Sequence, residues 1–365
     1  MIFNILLILL SFSVTFLVTI PFIKLLYKFN IRRVSKAELD SLLPGRQVKF
    51  GTPIMGGAVI LITIIVLSTI FLSDWEYYWA AICLVVLGGI VGAIDEYMNT
   101  LGRTFKAIRI STGGSLFNFH HESLAHKIKN IILKPWQWFE EFLRMMGSNQ
   151  RGFGSHYKFL SHILVAMTAI SFLMINEHIT VFHITSWLSI PLGIIYYPVI
   201  LFLMLFTANA FGITDGMDGL SAGMHFVSFT VLGILAYVLG YEEVSILAFI
   251  IAGAELAFLY FNINPARMEM SDVGTVPLGM LFFFLGILIS EEFGILLIGL
   301  IYMIEILSSI LQVLSVKYRG GKRIFLVAPI HHHFEKMGWP ETKVTQRFWI
   351  INILFALVGA ILVLF

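Results

Sequence analysis

Residues 1–23 read MIFNILLILLSFSVTFLVTIPFI, an apolar run without one charged side chain. About 20 apolar residues in a helix cross the hydrocarbon core of a bilayer, so this stretch decides the solvent in which the fold forms. Lys24, Lys28, Arg32 and Arg33 follow it directly, no Lys or Arg precedes it, and no small-residue cleavage site ends it. That order predicts a retained helix with its amino end outside the cell, not a signal peptide.

The rest of the chain repeats the pattern. Of 365 residues, 58% are hydrophobic and 13% charged, about half the charge of an ordinary soluble domain. A soluble core has no room for so much apolar side chain. Apolar stretches at 2–23, 54–73, 77–95, 157–175, 190–210, 220–239, 244–262, 274–290, 293–315 and 346–365 predict an all-α integral membrane protein of about ten transmembrane helices. The basic residues then set the orientation. Segments 24–52, 96–158, 263–273 and 316–347 carry seven, nine, one and seven Lys or Arg, which is every one of the 24. The alternate loops hold acids: Asp74, Glu76, Glu177, Glu242, Glu243, Glu291 and Glu292. The positive-inside rule puts the basic side in the cytoplasm, and both termini on the extracytoplasmic side.

The expected organisation is a single polytopic membrane domain over 1–365, with 97–156 as a long cytoplasmic, partly interfacial insertion. Its tail, LAHKIKNIILKPWQWFEEFLRMMG, mixes bulky apolar and basic residues, as helices lying at a membrane surface do. Within outer loop 176–189, the β-branched ITVFHITSW predicts a small hairpin. Cys83 stands alone in an apolar run, which excludes an intrachain disulfide and predicts a buried thiol.

The basic-side loops also carry acids and amides at helix ends, where ionisable groups near membrane depth mark function by default. They are Gly92 to Glu96, Asn209 to Leu220, Phe261 to Gly274 and Pro329 to Glu335. Asp215 and Asp218, three apart, are expected to share a helix face. Such carboxylates, with no basic partner in their own loop, invite a divalent cation. Oxygen ligands with open positions suit Mg2+ held together with substrate phosphates, and Lys49, Lys158, Lys322 and Arg323 are candidates for other phosphate oxygens. His331, His332 and His333 are three adjacent residues on one strand or loop, which seldom all reach one ion. Hydrogen bonding to phosphate or uracil suits them better than a transition metal. Glu255 and Glu305 lie inside predicted helices, and Glu255 is expected to pair with a polar neighbour.

These stretches resemble the MraY family of phospho-N-acetylmuramoyl-pentapeptide-transferases, within the polyprenyl-phosphate N-acetylhexosamine-1-phosphate transferases. The resemblance rests on Lys49 to Gly57, Gly92 to Glu96, Tyr157-Lys158, Asn209 to Leu220, Phe261-Asn262 with Pro265-Ala266, Asp272, Ile304-Glu305 to Val313, and Gly321 to Phe325. It continues through Ala328 to Glu335, whose PIHHHFE is specific to that family, and Gly338 to Pro340, then Arg347 to Trp349.

The resemblance implies transfer of phospho-MurNAc-pentapeptide from UDP-MurNAc-pentapeptide to undecaprenyl phosphate, giving lipid I and UMP with Mg2+. It implies Asp95, Glu96, Asp272 and His331 as catalytic residues, with Asp272 and Asp215 as metal ligands. Lys49, Lys158, Asn209, Asp215, Asp218, Asn262, His332 and His333 would bind substrate. The implied setting is the bacterial inner membrane with the site facing the cytoplasm. The partners are the two substrates and the lipid bilayer; a homodimer is compatible, and nothing calls for nucleic acid. Glu96 stands where the family usually has a second aspartate, Gly212 where it usually has a second asparagine, and Ser271 and Thr275 replace a usual glycine and serine. Competing readings are a relative that uses UDP-N-acetylglucosamine or another UDP-sugar, a weakly active or inactive relative, and a transporter or channel. The last would need midplane acids and discontinuous helices.

Overall fold

The protein is described by a computed structural model, which covers residues 2–33, 51–111, 155–176, 179–185 and 188–364. Lys49 and residues 112–154 of the insertion lie outside these residues. The order of elements is α1 (Ile2–Lys28), α2 (Gly57–Leu72), α3 (Tyr78–Ser111), α4 (Ser155–Asn176), β1 (Val181–Thr185), β2 (Leu188–Pro191) and a 3-10 turn (Gly193–Ile195). There follow α5 (Tyr196–Thr214), α6 (Leu220–Leu239), α7 (Glu242–Asn262), α8 (Asp272–Leu288), α9 (Glu292–Ile298), α10 (Leu300–Tyr318), α11 (Ile330–Lys336) and α12 (Glu341–Leu364).

Among the described residues, eight helices are long and apolar enough to cross a membrane: α1, α3 over Tyr78–Met98, α4, α5 with its preceding turn, α6, α7, α10 and α12. The apolar helices α2 and α8 are shorter, at 16 and 17 residues. The chain is therefore a multi-pass helical membrane protein. Two boundaries differ from the sequence expectation. Stretch 293–315 is broken at Gly299 into α9 and α10, and the segment from 97 opens not as a loop but as a continuation of α3 to Ser111. Cys83 is part-buried on α3, not enclosed. The expected hairpin is present: β1 and β2 pair antiparallel, with Phe182 opposite Ile190.

α7 and α8 form the centre. Every residue from Val273 to Ile287 is buried, as suits a helix apolar on all its faces; α3 and α5 flank α8. Gly253 of α7 touches the backbone of α1 at Ile8. Around that contact Ser11 Oγ donates to the Ile250 carbonyl at 2.5 Å and Asn4 Nδ2 donates to Ser245 Oγ at 3.2 Å. Small residues and interhelical hydrogen bonds supply cohesion where lipid removes the hydrophobic drive between helices.

The two ends of the bundle are chemically distinct. At one end Glu292, fully buried, accepts from the His183 N–H at 3.0 Å and from Tyr196 Oη at 2.6 Å, which ties the hairpin to α9. At the other end meet the segments that contain Arg33, Asp95, Lys158, Asp215, Asp272 and His331. Arg33 pairs with Glu269 at 2.6 Å, and Gly56 N and Gly57 N donate to the carbonyls of Glu269 and Met270.

Candidate active site

The site forms where three helices come close enough to expose backbone to backbone. A side chain on Gly92 would lie 2.5 Å from the Asp272 carbonyl oxygen, and one on Gly57 would strike the Cα of Gly274. Only glycine permits such approach of α2 and α3 to the start of α8. Asp95, three residues beyond Gly92 on the same helix face, thereby arrives beside Asp272. From α4, Lys158 Nζ donates to Asp95 Oδ2 at 2.9 Å and also to Asp272 Oδ2. Residues distant in sequence thus make one carboxylate–ammonium–carboxylate group. Asp95 is nearly enclosed (side chain 7% exposed), whereas Asp272 and Lys158 keep open sides at 28% and 29%. A ligand therefore meets Asp272 and Lys158 first, with Asp95 behind them. Glu96 follows Asp95 and is part-buried. His162, one turn along α4 from Lys158, is buried within reach of the charges of Lys158, Asp272 and Asp95; its lone position in an apolar run gave no sequence signal.

Asp215 caps the end of α5 and its Oδ2 accepts the Ser271 N–H at 2.9 Å. Burial first, then the Glu269 carboxylate, push its acid up to about 7, against the Ser271 N–H, which favours the ionised form. Asp215 and Asp218 do not share a helix face: α5 ends at Thr214 with Asp215 as its cap, residues 215–219 form turns, and α6 begins only after Gly219, which takes φ +75°. Asp218 turns away. Its Oδ2 accepts Asn264 Nδ2 at 3.0 Å and the Ala266 N–H at 3.1 Å, and its own N–H donates to Glu341 at 2.6 Å. Asn262 clips backbone, with Oδ1 accepting the Gly219 N–H at 3.0 Å and Nδ2 donating to the Met268 carbonyl at 2.8 Å. Asn209 Nδ2 donates to Leu205 O of its own helix at 2.7 Å.

The three histidines lie on a short helix, α11, rather than a strand or loop. His331 Nδ1 is 2.8 Å from Glu305 and His332 Nδ1 is 2.9 Å from Glu335, while His333 Nδ1 accepts the Leu326 N–H at 3.1 Å. His331 Nε2 abuts Gly216, next to Asp215, and a side chain on Gly216 would also lie 3.2 Å from His332 Nε2. Glu305 was legible as an acid in an apolar helix and as part of the stretch that carries the resemblance, but its partner belongs to another element. Lys322 and Arg323 are exposed on the link from α10 to α11. Glu255 lies 3.0 Å from His225 Nδ1 inside the bundle.

The available donors for a metal are carboxylate oxygens, chiefly Asp272 and Asp215. No group of three His, Cys, Asp or Glu among the described residues gathers closely enough to hold an ion by itself. One or two carboxylates with room for phosphate oxygens and water is the arrangement Mg2+ commonly takes, and the Lys158 ammonium already shows that this pocket accepts positive charge. A side chain at Gly212 would begin 3.4 Å from Asp272 Oδ1, so glycine leaves that flank of Asp272 open.

The Glycosyl transferase family 4 profile matches residues 150–290. Similar curated sequences include the phospho-N-acetylmuramoyl-pentapeptide-transferase of Staphylococcus aureus strain bovine RF122 / ET3-1, 32% identical over 324 residues, covering 85% of each chain. The protein of the same name from Staphylococcus carnosus strain TM300 is 30% identical over 321 residues, again with 85% of each chain covered.

Proposed function

This chain belongs to the phospho-N-acetylmuramoyl-pentapeptide-transferase family, and from that premise we propose that it transfers phospho-MurNAc-pentapeptide from UDP-MurNAc-pentapeptide to undecaprenyl phosphate, yielding lipid I and UMP. The observation that carries the site assignment is the bridge from Lys158 to both Asp95 and Asp272. It gathers two opposite charges around one cation at the basic end of a membrane bundle, where a lipid phosphate and a nucleotide diphosphate can both arrive.

In this reading an oxygen of the lipid phosphate attacks the phosphorus bonded to MurNAc. A new P–O bond forms, the phosphoanhydride bond breaks, and UMP departs with the electron pair. Asp95, the more enclosed acid, orients the lipid phosphate and holds any proton it brings. Lys158 neutralises the phosphates that approach its open side. Asp272 and Asp215 would hold Mg2+, which when bound offsets negative charge on the diphosphate and leaving group. Asp218 and Asn262 act by shaping the loop that carries Asp215, and Lys49 supports the phosphates. Ten crossings, with both termini outside and the site facing the cytoplasm of a bacterial inner membrane, complete the proposal.

UMP release from purified protein in lipid nanodiscs tests it, with undecaprenyl phosphate as acceptor and Mg2+ or chelator present. UDP-MurNAc-pentapeptide should support turnover and chelator should abolish it. Asp95→Asn and Asp272→Asn should each lower the rate by about 10²–10⁴-fold, the range for loss of a positioned acid or base. Near-normal rates in either variant would overturn its role, and turnover with UDP-N-acetylglucosamine alone would overturn the donor.

A further inference from the structure

Glu305 on α10 and His331 on α11 are both fully enclosed (0% exposed), with Nδ1 of the ring 2.8 Å from Oε2 of the acid. The other ring nitrogen, Nε2, is buried without a hydrogen-bond partner among the described residues. It faces Gly216, beside Asp215. Glu305 Oε1 is likewise buried without a partner among the described residues. A buried polar atom left unpaired is costly, and of the two it is Nε2, facing Gly216, that calls for an acceptor or donor from a ligand.

The charge of the buried pair decides which. A net charge enclosed away from water is strongly disfavoured, and three arrangements leave the pair neutral. In one, ionised Glu305 faces an imidazolium, and both ring nitrogens carry hydrogen. In the second, protonated Glu305 donates to Nδ1 of a neutral ring, whose one hydrogen then sits on Nε2. Both place a hydrogen on Nε2. In the third, Glu305 carries its proton on Oε1 and Oε2 accepts from Nδ1–H of a neutral ring; that form buries an O–H with nothing to accept it, since Oε1 has no partner among the described residues, and an orphaned donor is rarer in folded proteins than an under-satisfied oxygen. Only that third form and the net-negative arrangement, ionised Glu305 accepting from Nδ1–H of a neutral ring, would leave Nε2 a lone pair fit for a metal.

We propose that Glu305 is a positioning residue that fixes His331 as an Nε2–H donor, and that this donor binds an acceptor oxygen of the nucleotide-sugar beside Gly216 rather than a metal ion. The inference rests on the transfer reaction proposed above for the identity of the ligand, though not for the state of the ring. His332 with Glu335 makes a second imidazole–carboxylate pair turned toward the same glycine, so the pocket wall is built to hold rings in fixed orientation.

Nitrogen-15 NMR of histidine-labelled protein without substrate reads the ring directly, and the His331 signals are assigned by their loss in His331→Leu. A protonated Nε2 is expected; an unprotonated Nε2 overturns the proposal even if the transferase reading stands. Conversely, absence of turnover with UDP-MurNAc-pentapeptide would remove that reading and leave the ring result intact. Binding of UDP and of uridine then locates the acceptor. His331→Leu and Glu305→Ala should weaken UDP by about tenfold or more, the effect of losing a partner that orients a histidine. Glu305→Gln should restore most of that loss, because its amide N–H can donate to Nδ1 and keep hydrogen on Nε2. A loss confined to UDP places the acceptor on phosphate, and an equal loss with uridine places it on the base. No loss with either ligand overturns the proposal, and should Glu305→Ala fail to fold, the wild-type NMR result decides it.

Discussion

Ser271 sits at φ +59° and ψ 178°, a region of backbone space in which glycine is almost alone. Its N–H is spent on Asp215 and its buried hydroxyl has no partner among the described residues. A strained residue thus joins the two aspartates assigned to the metal. Ser271→Gly keeps the N–H and relieves the strain, so unfolding measured in detergent should show a gain of about 1–3 kcal/mol; a loss of stability would refute the strain. The opposite end of the bundle has its own stressed residue. Burial first, then Glu292, push the Glu291 acid up to about 7 from an ordinary 4.5. The folded protein therefore holds this proton more tightly than the unfolded chain does. Its contribution favours folding below about pH 4.5 and is withdrawn as pH rises toward 7. Glu291→Gln should flatten that part of the stability–pH curve and leave the variant more stable than wild type above pH 7. An unchanged slope between those values would contradict the burial argument.

At the scale of elements, the contact of α3 with α8 at Gly92 is decisive, because Asp95 and Asp272 ride on those two helices. Gly92→Leu must push α3 off the start of α8, at a cost of about 1–3 kcal/mol for overpacking. The expected result is a protein that still inserts but releases UMP at least 100-fold more slowly, since small misplacement in an oriented site is costly. Retention of full activity would show that the helices need not touch there. The periodicity of the chain indicated these helices, yet it contained no sign that Gly92 would meet the Asp272 backbone. It also misled at Asp215 and Asp218. Their spacing suits one helix face, but the helix ends at Thr214, before either of them, and the turns that follow send Asp218 to Asn264 and Ala266.

The whole molecule separates its chemistry by end, with the hairpin and Glu291–Glu292 at one pole and Lys158 with its aspartates at the other. Cysteine labelling tests how these poles lie across the membrane, since the sequence has only Cys83 to remove. In a Cys83→Ser background, an impermeant maleimide added to intact cells should label Glu76→Cys and spare Arg319→Cys. The reverse pattern would invert the proposed topology.

A helical membrane protein, the order of its apolar stretches, the hairpin and the family could all be read from the residues alone, because hydropathy, turn chemistry and short motifs are local properties that survive without a partner. Which acids meet was settled by packing. Lys158 lies 63 positions from Asp95 and 114 from Asp272, and no local pattern links them. Their meeting depends on helices approaching at Gly57 and Gly92, and His331 depends in the same way on Glu305 from another helix. A charge near membrane depth announces that it needs a partner, but packing chooses the partner.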